Sequence, residues 1–212
     1  MTLVDDISVS VQAGEFVTIT GPSGSGKSSL LYLLGLLDKP TTGTVLIEDR
    51  ETSTMDEDAL ATLRLQRLGF VFQFHFLLPE FTALENVTLP MRRLGKADEE
   101  DCRTYGEKLL SDFGLADQMH KLPKQMSGGQ CQRVAVARAL ANDPALILAD
   151  EPTGNLDTAS SKIVQSILKD LAHQQNRAVV AVTHDMDFAT MADRRIHLVD
   201  GKVADLIPYS NR

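Results

Sequence analysis

Gly21-Pro22-Ser23-Gly24-Ser25-Gly26-Lys27-Ser28 constrains this chain more than any other stretch. An apolar run, Phe16 to Thr20, precedes it and reads as a strand. Ser29 and the leucines after it read as the first turns of a helix. Glycines at 21, 24 and 26 let the backbone curl, so that successive N–H groups point inward at phosphate oxygens. The helix N-terminus adds the positive end of its dipole, and Lys27 adds a full charge over the β- and γ-phosphates. The Ser28 hydroxyl is spaced to ligate Mg²⁺. A strand, this loop and a helix together predict a P-loop that grips a nucleoside triphosphate.

The 212 residues suffice for one sizeable α/β domain with a real core, and 43% hydrophobic with 24% charged residues is ordinary for a globular protein. A net charge of −8 argues against a nucleic-acid partner, which would ask for a basic face. Cys102 and Cys131 have neither metal-ligand spacing nor a disulfide framework, so a reducing compartment is expected. Neither a signal peptide nor a run of the roughly 20 apolar residues that span a bilayer is apparent. Work at a membrane would therefore be done from the cytoplasm, through a partner.

Ile7, Val9 and Val11 alternate with polar residues as a half-buried strand would. Short strands are expected at Val45–Ile47 and Gly69–Phe72. From Thr82 to Ala141 the pattern becomes helical, with Asp98 as N-cap of a helix running towards Phe113. Strands return at Ala145–Ala149 and Ala178–Val182, continuous apolar runs typical of a sheet covered on both faces. Asp200-Gly201 predicts a hairpin between Ile196–Val199 and Val203–Ile207. The expected architecture is a mostly parallel nucleotide-binding core, residues 1–81 and 142–212, interrupted by a helical segment, 82–141. Leu33, Leu34 and Leu36 are read as core, His75 as packing, and Asp98–Asp101 as a solvated helix start. Cys131 is placed on a helix surface without a role.

Two further groups sharpen the chemistry. Asp150 and Glu151 end an apolar strand, where Asp150 can enter the Mg²⁺ shell and Glu151 can reach a water in line with the γ-phosphate. Ser127-Gly128-Gly129-Gln130 opens a helix, with Ser127 as N-cap and two glycines admitting an anion to exposed N–H groups. The chain offers no second nucleotide for that helix start, so a pair of chains, each serving the other's ATP, is the simplest resolution.

The P-loop, Gln73 after a strand, Ser127–Gln130, Asp150-Glu151 and Thr183-His184-Asp185 occur in the order seen in ATP-binding-cassette (ABC) ATPases, and the chain resembles them over about residues 3–207. The stretch Phe72–Val87, with Leu37–Gly43 and Ala149–Asp157, is similar to the lipoprotein-releasing (LolD type) group and its macrolide-export relatives. That resemblance implies a RecA-like P-loop core, an antiparallel β subdomain and a helical subdomain, with ATP and Mg²⁺ as ligands. It implies that Gln73 touches Mg²⁺ or the attacking water, and that Ser127 and Gly129 bind the γ-phosphate held by a second copy. Glu151 would be the general base, and His184 would contact the γ-phosphate and hold that base. Asn155-Leu156-Asp157 would cross the dimer interface. The partners implied are a second ATPase subunit and an integral-membrane permease, met at the cytoplasmic face of the inner membrane, with Gln73–Val87 as the contact surface. A regulatory cell-division complex is the alternative, and a DNA-repair or ribosome-associated ABC protein is disfavoured for want of coiled-coil heptads. Two departures stand out. Met126 replaces a usual leucine, and no residue matches the aromatic that stacks on adenine from an additional N-terminal strand. The chain start at Met1 leaves open whether that strand lies upstream or adenine is held without it.

Overall fold

Five consecutive strand residues with every side chain buried sit in the middle of a sheet covered on both faces, and two strands meet that description. They are β1 (Phe16–Thr20) and β6 (Ala178–Val182). The computed structural model describes residues 3–208. Around those two strands the chain runs α1 (Lys27–Leu34), β2 (Leu46–Ile47), β3 (Arg50–Glu51), α2 (Glu57–Arg67) and β4 (Leu68–Phe72). It continues through α3 (Ala83–Leu94), α4 (Glu99–Asp112), α5 (Gly128–Leu140) and β5 (Leu146–Asp150). After α6 (Thr158–His173) and β6 come α7 (Met186–Ala189), β7 (Arg194–Val199) and β8 (Lys202–Pro208).

The main sheet has the order β4-β5-β6-β1-β7-β8, parallel throughout except for β8, which pairs antiparallel with β7. Alternation along β1 divides the core between two faces. Phe16 joins Val164, Leu168 and Phe188 on one side, whereas Val17 and Ile19 meet Leu30 and Leu31 of α1 on the other. The rings of Phe16 and Phe188 lie 5.7 Å apart, both fully buried. Burying one such side chain contributes about 1.5–3 kcal/mol. The antiparallel β part is small, a single pairing of β2 with β3.

Between Ala83 and Leu140 lie α3, α4 and α5, with short 3₁₀ turns and no strand. Thr82 and Glu85 form a reciprocal capping box at the start of α3, and Asp98 caps α4 by accepting from the Asp101 N–H. Asp200 and Gly201 have φ of 49° and 78°, the paired left-handed conformations that a two-residue hairpin turn needs.

Three expectations are corrected. Ile7, Val9 and Val11 keep their alternation as half-buried residues against the α1 side of the core, but among the described residues no ladder forms there and the segment is not a strand. Leu33 is only half-buried and off the sheet-facing side of α1, which Leu30 and Leu31 fill; Leu34, one turn on, packs half-buried against that same core, and Leu36 is buried. Cys131 lies inside the protein rather than on a surface, 3% exposed, with its thiol donating to the Pro123 carbonyl at 3.5 Å. The reason is that α5 is the central helix of its layer, walled in by α3, α4, α6 and β4. Met126 packs against the same core, so the thioether fills the usual leucine's place. The chain start at Met1 and Thr2 lies outside the described residues.

Candidate functional site

Parallel strands deliver their C-terminal ends to one edge of a sheet, and ligands of open α/β sheets bind there. Phe72 pairs with Asp150, Asp150 with Val182, and Ile19 with Val182. The residues that follow these positions therefore emerge side by side. They are Gln73 after β4, Glu151 after β5, Thr183 and His184 after β6, and the P-loop after β1.

The P-loop is built around close backbone approaches. A Cβ on Gly21 would fall 2.1 Å from the Leu198 carbonyl oxygen, and one on Gly26 would meet the Leu3 carbonyl at the same distance. Both positions also have positive φ. Pro22, Ser23 and Gly24 form the exposed rim, while Ser25 is buried beneath it. Gly26 stands at the N-cap of α1 with no side-chain cap, and no acidic residue lies in the first turn. The N–H groups of Lys27, Ser28 and Ser29 thus have no protein acceptor among the described residues. The Lys27 ammonium folds back and donates to the Gly21 and Pro22 carbonyls at 3.0 and 2.8 Å. Those bonds are of the kind that a phosphate oxygen can replace with a charged acceptor.

The strand ends carry the acidic half. The Ser28 hydroxyl donates to Asp150 Oδ1 at 3.2 Å, and the Tyr32 hydroxyl donates to Oδ2 of the same carboxylate at 3.2 Å. Burial, and next the Asp150 charge, push the Tyr32 phenol above its ordinary range. Glu151 holds a left-handed backbone, φ 46°, with its N–H bonded to the Val182 carbonyl. Its Oε2 lies 2.8 Å from His184 Nδ1. The Glu151 side chain is 20% exposed and that of His184 is 74% exposed, so the pair links a sheltered carboxylate to a ring facing solvent. Gln73 donates from Nε2 to Asn155 Oδ1 at 3.2 Å, which ties the end of β4 to the turn before α6.

Ser127, Gly128, Gly129 and Gln130 form a different kind of helix start. Ser127 Oγ accepts from the Gln130 N–H, and Gln130 Oε1 accepts from the Ser127 N–H. Gly129 is buried, and a Cβ there would lie 2.3 Å from Ser160 Oγ, so this glycine serves helix packing as well. Gly128 is exposed and faces only Leu156 at 3.9 Å. Asp157 caps α6 through the Ser160 N–H and hydroxyl, and these bonds hold its carboxyl below the usual range. No hydrogen bond joins residues 127–130 to the P-loop among the described residues.

The stretch from Gln73 to Val87 divides in two. Phe74, Phe76, Leu78 and Phe81 are exposed, whereas Leu77, Leu84 and Val87 are core. His75 is half-buried, and burial followed by the Arg138 charge hold its pKa below 6.5. Sequence reasoning missed three supporting residues. Tyr32 is one, and its only signal is the i, i+4 spacing from Ser28. Gln132 donates to the Phe72 carbonyl at 2.9 Å, and Arg138 donates to the carbonyls of His75 and Phe76 at 2.7 and 2.6 Å. Nothing local in the sequence announces either.

These features find their counterparts in known proteins. The ABC transporter family model matches residues 4–154, and the chain belongs to that family. It is an ATP-binding-cassette ATPase. Among curated proteins it is 51% identical to the lipoprotein-releasing system ATP-binding protein LolD 1 of Chlorobium chlorochromatii, over 96% of this chain and 82% of that one. It is 51% identical to LolD of Aquifex aeolicus, over 95% of this chain and 89% of that protein. Among solved structures, the ATP-binding cassette MJ0796, a dimer in a post-hydrolysis state bound to ADP and Pi, matches with a TM-score of 0.90 and 42% identity. That match covers 99% of this chain and 92% of the other.

Proposed function

We propose that this chain is the ATP-hydrolysing subunit of a membrane complex of the lipoprotein-releasing type, working as a head-to-tail pair around two ATP. The observation that carries this reading is the arrival of Gln73, Asp150-Glu151, the P-loop and His184 at one sheet edge. Support for the cargo class comes from the relatives' names and from the near full-length match to them.

In this reading Gly21 to Ser29 cradle the triphosphate, and Lys27 exchanges its two carbonyls for phosphate oxygens. Ser28 and Asp150, with Gln73 beside them, would hold Mg²⁺. Their hard oxygen donors suit that ion, and the described residues offer no group of three or more His, Cys, Asp or Glu that could hold a metal alone. Bound there with the nucleotide, the ion supplies charge neutralisation on the phosphates. Glu151 accepts a proton from the attacking water as its oxygen bonds to the γ-phosphorus and the bond to the β-phosphate oxygen breaks, releasing ADP. An ionised Glu151 selects the His184 tautomer that donates from Nδ1 and so keeps the base aimed. Contact from His184 to the γ-phosphate would then fall to Nε2, the ring nitrogen facing away from Glu151. Ser127, Gly128 and Gly129 meet the γ-phosphate held by the second copy, with Gln130 keeping the cap and Asp157 beside the partner's P-loop. Closure excludes water and completes the constellation; loss of the γ-phosphate reopens it.

No helix among the described residues is long and apolar enough to cross a membrane. The permease contact falls to exposed Phe74, Phe76, Leu78 and Phe81, with residues 82–141 moving as a unit against the core and the chain peripheral at the cytoplasmic face. Glu151→Gln is expected to bind ATP normally while turnover falls by about 10²–10⁴. With ATP, this variant should accumulate as a dimer in light scattering. A Glu151→Gln protein that stays monomeric at saturating ATP would refute the shared-site reading.

A further inference from the structure

Asp150 is the one carboxylate of the strand-end cluster held at both oxygens by hydroxyl donors from a single helix. Ser28 and Tyr32 sit four residues apart on α1, so both side chains lie on one face, one turn above the other. Ser28 donates to Oδ1 and Tyr32 to Oδ2, each at 3.2 Å. The Tyr32 ring packs with the apolar cluster of Val17, Leu30 and Leu148, while its hydroxyl reaches the polar edge. That anchorage makes Tyr32 the stiffer of the two donors. Ser28 is a small side chain whose hydroxyl has a second task in the reading above, and turning towards a cation would loosen its hold on Oδ1.

We infer that Tyr32 is the positioning residue that fixes the Asp150 carboxylate, aiming its other oxygen at the cation bound with the nucleotide. This rests on the site reading just given. In that reading Tyr32 acts through Asp150, as the hydrogen-bonded partners of metal-ligating carboxylates commonly do. Without the phenol the carboxylate can rotate, and its oxygens no longer stand where the cation's shell requires them.

The test uses Mn²⁺ as probe with ADP and the full chain, following free Mn²⁺ by electron paramagnetic resonance. Tyr32→Phe keeps the ring and deletes the donor. Mn²⁺ retention by the ADP-bound protein is expected to weaken on the order of tenfold. ADP affinity in excess chelator and the melting temperature should stay at wild-type values. Ser28→Ala and Asp150→Asn, measured alongside, should weaken Mn²⁺ at least as much. If those two weaken Mn²⁺ and Tyr32→Phe does not, the positioning role is overturned and the site reading stands. If none of the three changes Mn²⁺ retention, the assignment of Ser28 and Asp150 fails, and this inference with it. A Tyr32→Phe protein that melts early or loses chelator-insensitive ADP binding would make the phenol a folding contact and overturn the proposal.

Discussion

Helices α1 and α5 both begin with glycine beside serine, yet their first turns are finished in opposite ways. At α1 the N-cap is Gly26, which contributes no side-chain acceptor, and the first turn carries no acid. Its opening N–H groups have no protein partner among the described residues, and Lys27 beside them bonds to loop carbonyls. At α5 a capping box satisfies the Ser127 and Gln130 N–H groups, leaving those of Gly128 and Gly129 without a protein acceptor among the described residues. An uncapped helix start leaves several donors unsatisfied until an anion arrives, so α1 should bind phosphate on its own. A boxed start is already stabilised, and α5 offers an incoming phosphate the Gly128–Gly129 turn and the Ser127 hydroxyl. In the proposed pair, this difference would set an order of events in which nucleotide binds first at α1 of one copy, and α5 of the other joins a site already charged.

The sharpest way to break this contrast is to disable α1. Lys27→Ala should lower ATP affinity by about a hundredfold or more, because it removes the charged donor that the proposed reading sets over the β- and γ-phosphates. Equilibrium dialysis measures this directly. Wild-type ATP affinity in the variant would mean that α1 is not where nucleotide first docks.

Gly128→Ala addresses the other helix. A Cβ at 128 has room, its nearest neighbour being Leu156 at 3.9 Å, and alanine favours a helix over glycine by about 0.5–1 kcal/mol. The variant should therefore melt no lower than wild type and bind ATP normally. Turnover should still fall about tenfold, since the new methyl would stand where, in the proposed pair, the other copy's phosphate approaches. Unchanged turnover would show that α5 does not meet nucleotide through this face. Gly129→Ala makes a poor probe here, because its Cβ would collide with Ser160 and confound folding with function.

How far the chain could be read in advance follows the range of the interactions involved. Ala178–Val182 was legible to the residue, because five apolar positions in a row have one home in a covered sheet. The Asp200-Gly201 turn and the caps at Asp98 and Ser127 were legible for the same reason, being settled by residues a few places away. Cys131 was misread because its burial depends on which helices surround α5. Ile7 to Val11 kept the pattern of a strand, but a strand also needs a neighbour to bond, and alternation says nothing of that. In the site, P-loop and strand-end residues announced themselves by motif order. Tyr32 did not, since its partner Asp150 lies 118 residues further along.

The smallest expected effect concerns the loop between the two helix starts, where outward presentation is maintained by buried bonds. Phe74 and Phe76 are 64% and 63% exposed, yet His75 between them is drawn inward beside Arg138. The Leu77 N–H approaches His75 Nδ1 at 3.3 Å, which suits a neutral ring with an unprotonated Nδ1. Burial and the Arg138 charge both disfavour the charged form, so the folded pKa lies below the ordinary 6.5. The sign follows from proton uptake. As pH falls through 6.5 the unfolded or opened loop gains a proton that the closed loop refuses, so closure is fully favoured above that value and weakens below it. Between about pH 7.5 and 5.5, amide protection factors at Leu77 and Leu78 should drop severalfold, while those in β1 and β6 hold steady. His75→Gln keeps an acceptor without the titration and should flatten that dependence. Protection that falls equally in His75→Gln would move the pH response away from this ring.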